Sequence, residues 1–228
     1  MALSALRTVL LDLDGTLIDH FQTIYRCYAE SLHQLRLEPV SYEKVKATVG
    51  GGIRVTFSRL VPEEHVEPGV KLWMECFERH WAEGIELLPG VEDFLDQLHG
   101  AGLQTAIYTN KEGPAARRIA GLLGWEDRLA GVFGRLDTPW AKPDARFTGH
   151  VLEQLGARPE TTLMIGDSPF DAETARNAGL GAYVVATGSH SLAQLEVEAD
   201  ADGRFPDLPA LARELWNWQL KVVDEQAG

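Results

Sequence analysis

The chain is poor in the features that bind polyanions or membranes. Its 228 residues carry 21 Lys and Arg against 34 Asp and Glu, a formal net charge of −13. Binding to a nucleic-acid backbone relies on clustered Lys and Arg, so no nucleic-acid partner is expected. No uninterrupted apolar stretch approaches the roughly 18 residues of a membrane span, and no basic-then-apolar leader follows Met1. A cytoplasmic location without a membrane partner is the default expectation. Cysteine is scarce too. Cys27 and Cys76 both lie in stretches of helical periodicity, outside any paired metal-ligand spacing, and are expected to be free, largely buried thiols. No internal repeat or low-complexity segment is present. A composition of 45% hydrophobic and 24% charged residues is enough for one good core and a small accessory unit.

The first segment of chemical interest is Val9-Leu10-Leu11-Asp12-Leu13-Asp14-Gly15-Thr16, an apolar run that ends abruptly in two carboxylates. The end of a buried strand is where an α/β sheet places its chemistry. Asp14 leans into the Gly15 turn, so its carboxylate and that of Asp12 are expected to converge, and two adjacent acids invite a cation. Taken alone, the segment reads equally well as a strand ending in a solvated acidic turn. Later clusters decide the matter, since a parallel sheet gathers its strand ends on one edge.

Three such clusters follow. Leu103 to Tyr108 reads as a strand that runs into Thr109-Asn110-Lys111. Ala141-Lys142-Pro143-Asp144 lies in a loop whose proline blocks a preceding helix and starts one carrying Phe147, Val151 and Leu155. Thr162 to Ile165 is a short apolar strand, followed by Gly166-Asp167-Ser168 and by Asp171 at the head of a helix. Each cluster has an ordinary explanation in capping or loop solvation. Their order and spacing together resemble the haloacid dehalogenase superfamily of phosphotransferases. Thr109-Asn110-Lys111 and Val49-Gly50-Gly51-Gly52-Ile53 further resemble its phosphoglycolate phosphatase branch with a helical cap.

The resemblance, which extends from Val9 to about Gly188, implies an α/β fold. Its parts would be a Rossmann-like three-layer core with a parallel sheet, formed by residues 1–17 and 87–228, and an inserted α-helical cap at 18–86. The residues agree with the insertion. Phe21, Ile24, Tyr28, Leu32 and Leu35 share one helical face, Val70, Trp73, Phe77 and Trp81 repeat the pattern, and Ile53, Phe57 and Leu60 suggest a third helix. Pro39, Pro62 and Pro68 punctuate the connections. Closing such a cap over the site would exclude water and strengthen every charge interaction inside it. Gly51, Gly52 and Arg54 are the cap residues expected to face the substrate, with the glycines allowing close approach and Arg54 holding a carboxylate. Thr16 and His20, near the hinge, complete the candidate substrate contacts. The remainder returns to the sheet-and-helix rhythm, with helices around Val91–Leu98 and Ile119–Leu123 and a strand at Ala182–Val185. A final amphipathic stripe comprises Leu208, Leu211, Leu215 and Trp218, with Trp216 off the stripe and a hint of an external contact.

Electrostatics adds a requirement of its own. Two unit charges about 4 Å apart repel by roughly 4 kcal/mol at an effective dielectric of 20, so a phosphate dianion can enter an acidic site only beside local cations. Lys142 is one. The other is a hard divalent ion, Mg²⁺ by the chemistry of carboxylate and phosphate oxygens, held by Asp12, Asp167 and a backbone carbonyl, within a candidate metal set of Asp12, Asp14, Asp167 and Asp171.

By resemblance, Asp12 attacks phosphorus to give an aspartyl-phosphate, Asp14 is general acid and then base, and Thr109 and the backbone amide of Asn110 hold the transferring oxygens. Lys142 neutralises developing charge, while Asp171 either joins the metal through water or orients Lys142. The expected activity is that of a Mg²⁺-dependent phosphatase acting on a small phosphorylated metabolite. A phosphosugar mutase, a pyrophosphatase and a catalytically silent binding module are the alternatives. A 2-haloacid dehalogenase needs neither the second acid nor Mg²⁺, so Asp14-Gly15-Thr16 speaks against it. The loop Gly134 to Trp140 lacks the run of acids associated with phosphoglycolate phosphatases, which leaves phosphoglycolate, another short carboxylated phosphate, pyrophosphate and nucleoside monophosphates open. Oligomeric state, monomer or homodimer, is undetermined.

Overall fold

Thr8, Val9, Leu10 and Leu11 cannot face water on either side of a strand, and the fold covers both faces of the sheet they enter. A computed structural model describes residues 3–222. In chain order the elements are β1 (Thr8–Leu11), β2 (Ile18–Asp19), α1 (Phe21–Gln34), α2 (Tyr42–Lys46), α3 (Ile53–Leu60), α4 (Val66–His80), β3 (Glu86–Leu87), α5 (Val91–Gly100) and β4 (Gln104–Glu112). There follow α6 (Gly113–Leu122), β5 (Gly131–Arg135), α7 (Ala145–Leu155), β6 (Thr162–Gly166), α8 (Pro169–Ala178), β7 (Gly181–Val185), α9 (Leu192–Glu198), β8 (Gly203–Phe205) and α10 (Leu208–Trp216). Six of the strands form one sheet in the order β5-β4-β1-β6-β7-β8. Every neighbouring pair in it is parallel.

Successive side chains of a strand point to opposite faces, and β1 divides the core accordingly. Val9 and Leu11 join Phe94, Leu98, Ile119 and Leu211 from α5, α6 and α10 on one face. Leu10 joins Phe147, Val151, Ala175 and Leu195 from α7, α8 and α9 on the other. The result is the three-layer α/β core that the sequence implies.

The helical segment lies between β2 and β3, which pair antiparallel and form a two-stranded neck. Its own core is aromatic. Trp73 and Phe77 of α4 stack with ring centroids 4.9 Å apart, and Tyr28 of α1 tilts against Trp73 and Phe57. Each such buried ring is worth roughly 1.5–3 kcal/mol of burial free energy, which lets a small helical unit hold its shape. Cys27 and Cys76 are free and buried in this layer. No helix among the described residues is long and apolar enough to cross a membrane.

Several elements depart from the sequence reading. The cap has a fourth short helix, α2, and Pro68 lies in the first turn of α4, where a missing N–H costs nothing. The strand expected to end at Tyr108 continues as β4 to Glu112, with an irregular register against β5 after Tyr108. Gly134 and Arg135, read as loop, close β5. The last helix ends at Trp216 with Asn217 in the left-handed region, so Trp218 is past it. Trp216 is not a lone external contact: it stacks on Trp218 at 4.8 Å, and both rings pack on Phe94.

Candidate active site

Strand register brings the polar clusters together. Leu11 of β1 lies opposite Ile107 of β4 and Ile165 of β6, so Asp12 leaves the sheet beside the ends that carry Thr109, Asn110 and Asp167. The amide of Asp12 still donates to the Ile165 carbonyl at 2.9 Å, which fixes its backbone. The chain then turns at Gly15, whose φ of +89° suits glycine; a Cβ there would stand 2.8 Å from Asp167 Cγ. Gly188, after β7, abuts the same carboxylate.

At the centre, the Lys142 ammonium donates to Asp12 Oδ1 at 2.7 Å, Asp171 Oδ1 at 2.6 Å and the Tyr108 carbonyl at 3.1 Å. Burial alone would push this amine down; the two carboxylates outweigh it and hold the ammonium above its ordinary range. Both oxygens of Asp171 are engaged. Its Oδ2 accepts from Ser168 N at 3.1 Å and Ser168 Oγ at 2.6 Å in a capping box that starts α8. Asp167 Oδ2 accepts from Ser189 N and Oγ at 2.7 and 2.8 Å. Burial, with Asp171 and Asp12 alongside, pushes Asp167 up to about 8. Burial likewise raises Asp12 to about 6, although Lys142 pulls the other way.

Ligand oxygens of Asp12, Asp167 and Asp171 lie within 4.8 Å of one another, all three residues buried. Three desolvated carboxylates around one lysine leave an excess of negative charge, and an all-oxygen donor set fits a hard divalent cation such as Mg²⁺. Asp14, expected among the metal ligands, keeps its carboxylate out of this cluster. Lys111 Nζ donates to its two oxygens at 3.1 and 2.9 Å, and His20 Nδ1 stands 4.0 Å away. The Lys111 ammonium also sits 4.9 Å from the Phe77 ring centroid, which ties Asp14 to the cap.

Thr109 is buried, and its hydroxyl accepts from Lys111 N at 3.2 Å. The Asn110 side chain accepts from Lys142 N at 3.0 Å and donates to the Lys142 carbonyl at 3.1 Å and the Gly50 carbonyl at 2.9 Å, so one amide joins β4, the lysine loop and the cap. Gly52 lines the cavity above the acids, together with Gly50; Gly51 packs on Val55 and Phe170 instead. His20 and Thr16 are buried behind the site. His20 Nε2 pairs with the Glu83 carbonyl at 3.0 Å, while His20 Nδ1 and Thr16 Oγ1 have no partner among the described residues. Burial pushes His20 down to about 4, so its ring is neutral. Arg54 does not face the cavity: it is exposed, with Nε on Glu67 Oε1 at 2.5 Å and Glu63 nearby. Its nearest acids, nine and thirteen residues away along the chain in the same helical segment, hold it more cheaply than a buried site would.

Sequence reasoning gave no role to Lys111, Ser168, Ser189 or Glu112, all of which line the cavity. Lys111 was visible as the third residue of Thr109-Asn110-Lys111, but its direction depends on the extension of β4. Ser189 follows a strand end, and nothing in its spacing marked it.

A buried cluster of carboxylates and one lysine, at the carboxyl edge of a doubly covered parallel sheet and under a helical insertion, defines an α/β enzyme that works with acidic groups. The model of the haloacid dehalogenase-like hydrolases matches residues 9–185. The chain is 32% identical over 196 residues to a phosphoglycolate phosphatase of Chromobacterium violaceum, covering 82% of this chain and 88% of that one. It is 33% identical over 187 residues to phosphoglycolate phosphatase 1 of Pseudomonas aeruginosa, covering 76% and 67%. In structure it resembles a haloacid dehalogenase-like hydrolase of Streptococcus pneumoniae, with a TM-score of 0.82, 22% identity and coverage of 92% and 99%. A predicted phosphoglycolate phosphatase of Haemophilus somnus likewise gives 0.82, at 21% identity and coverage of 92% and 98%. The chain belongs to the haloacid dehalogenase-like hydrolases.

Proposed function

We propose that this hydrolase is a Mg²⁺-dependent phosphatase of the phosphoglycolate phosphatase type, which cleaves a small phosphate monoester through an aspartyl-phosphate on Asp12. The observation that carries the reading is the ammonium of Lys142 bridging Asp12 and Asp171 within a buried acid cluster at the sheet edge. Asp12 and Asp167 would hold Mg²⁺, which would supply positive charge against the carboxylates and the phosphate.

Lys142 holds one oxygen of Asp12, which leaves the other to attack phosphorus as the ester P–O bond breaks. Asp14 gives a proton to the departing alkoxide, then takes one from the water that attacks the aspartyl-phosphate, releasing inorganic phosphate and the Asp12 carboxylate. Thr109 Oγ1 and the backbone N–H of Asn110 donate to the transferring oxygens, and Lys142 balances the charge that develops on them. Asp171 is a positioning residue: its oxygens already accept from Lys142 and from Ser168, which favours the orienting role over a water-mediated metal contact. Residues 18–86 act as the cap, and Lys111 couples it to Asp14.

The test is phosphate release from p-nitrophenyl phosphate with Mg²⁺ and with EDTA. Activity should need the metal and vanish in a folded Asp12→Asn variant. Retained turnover in that variant would remove Asp12 from the nucleophile role.

A further inference from the structure

Outside the acid cluster, one other group of side chains among the described residues brings metal-ligating atoms within 4.8 Å of one another: Glu30 of α1 with Cys76 and His80 of α4. Cys76 and His80 stand one helical turn apart on a shared face, and the packing of α1 on α4 supplies Glu30 from across the cap. The Cys76 sulfur is buried at the floor of the group, 3.3 Å from Glu30 Oε2. With Zn–S of about 2.3 Å and Zn–O of about 2.0 Å, the edge of a tetrahedron between such ligands is about 3.5 Å, so this pair already has the required separation. His80 is the last residue of α4, where its ring can close the remaining gap without moving the helix.

The surroundings leave these atoms available. Arg79 Nη2 donates to the other oxygen of Glu30, Oε1, so Oε2 keeps its place beside the sulfur. Glu83 Oε1 pairs with His80 Nδ1 at 2.8 Å, the kind of carboxylate contact that orients a ligating ring. Cys27, buried beside Cys76, hydrogen-bonds its sulfur; burial pushes the Cys27 thiol up, so it stays protonated and supports a Cys76 thiolate rather than competing as a ligand. One side is open. Glu30 and Glu83 line a surface hollow with Thr23 and Arg26, through which an ion can enter and water can fill the fourth position.

We propose that Glu30, Cys76 and His80 form a second metal site, for a borderline-soft divalent cation of the Zn²⁺ class, which clips α1 to α4 within the cap. On binding, the Cys76 S–H proton passes to solvent and the sulfur joins the ion as thiolate. A nitrogen, a sulfur and a carboxylate oxygen suit Zn²⁺ and Co²⁺ and disfavour Mg²⁺, which takes oxygen ligands. The acid cluster offers only oxygen, so a sulfur-to-metal signal cannot come from it.

The experiment titrates the reduced full chain with Co²⁺ in excess Mg²⁺ and reads the thiolate-to-cobalt charge-transfer absorption in the near ultraviolet. The band should appear, saturate at one equivalent and be displaced by Zn²⁺. Cys76→Ser should abolish it, Cys27→Ser should keep it, and His80→Gln should weaken Co²⁺ binding by about tenfold or more with circular dichroism unchanged. No band in the folded wild type, or a titration unaltered in both Cys76→Ser and His80→Gln, would overturn the site. A band lost in Cys27→Ser and kept in Cys76→Ser would overturn the ligand set. If Cys76→Ser does not fold, the wild-type titration and His80→Gln decide. None of these readouts depends on phosphate release, so the site stands or falls apart from the phosphatase reading.

Discussion

Replacing Asp167 with Asn should make the metal-free protein more stable at alkaline pH while abolishing its activity. Burial, with Asp171 and Asp12 alongside, moves this carboxyl from 3.8 to about 8. The folded chain therefore binds that proton more tightly than the unfolded chain does, and stability declines as pH rises from about 4 to about 8. At ~1.4 kcal/mol per pH unit, the full penalty at pH 8 is on the order of 5 kcal/mol. Asparagine keeps an acceptor for Ser189 N and Oγ, and its new amide costs about 1–3 kcal/mol if imperfectly paired. The net gain is about 2–4 kcal/mol at pH 8 and little or none at pH 5. A chain of this size gains about 2–4 °C in Tm per kcal/mol, so scanning calorimetry in EDTA should show a rise of about 5–15 °C at pH 8. A lower Tm at pH 8, or the same change at both pH values, would refute the reasoning. With Mg²⁺ added, only the wild type should gain further stability, because the ion binds its folded state.

Lys142→Met leaves three buried carboxylates without their cation and should cost about 3–5 kcal/mol at pH 8, measured by urea denaturation in EDTA; an unchanged midpoint would show that the lysine carries no buried charge balance. His20, pushed down to about 4 by burial, is neutral when folded, so it contributes an acid limb of its own, absent above about 6.5 and costing on the order of 3 kcal/mol as pH drops toward 4, opposite in sign to the contribution of Asp167 and read as the difference between wild type and variant. His20→Gln should flatten this acid limb, and an unaltered pH dependence would assign the limb to other groups.

How much of this was legible depended on whether local pattern or tertiary direction set the answer. The strand ends at Asp12, Thr109 and Asp167 were readable because an apolar run followed by polar residues is a local signal, and parallel register then brings them together. Asp171 was readable from its place at the head of α8, though its capping of Ser168 and grip on Lys142 required the fold. Asp14 was two residues from Asp12, yet its carboxylate points to Lys111, because the turn at Gly15 redirects the chain. Arg54 failed for a different reason: an exposed arginine on a short helix takes the nearest acids, here Glu67 and Glu63, before a distant ligand. Trp218 fitted a 3.6-residue stripe, but the chain leaves the helix at Asn217 and folds the ring back on Trp216.

The most direct measurement of the central claim is chemical trapping of the intermediate. A burst of turnover with p-nitrophenyl phosphate and Mg²⁺, quenched in acid and reduced with borohydride, converts an aspartyl-phosphate to homoserine that peptide mass spectrometry can locate. Homoserine is expected at position 12, dependent on substrate and metal. Homoserine elsewhere, or none in an enzyme that turns over with a burst of p-nitrophenol, would contradict it.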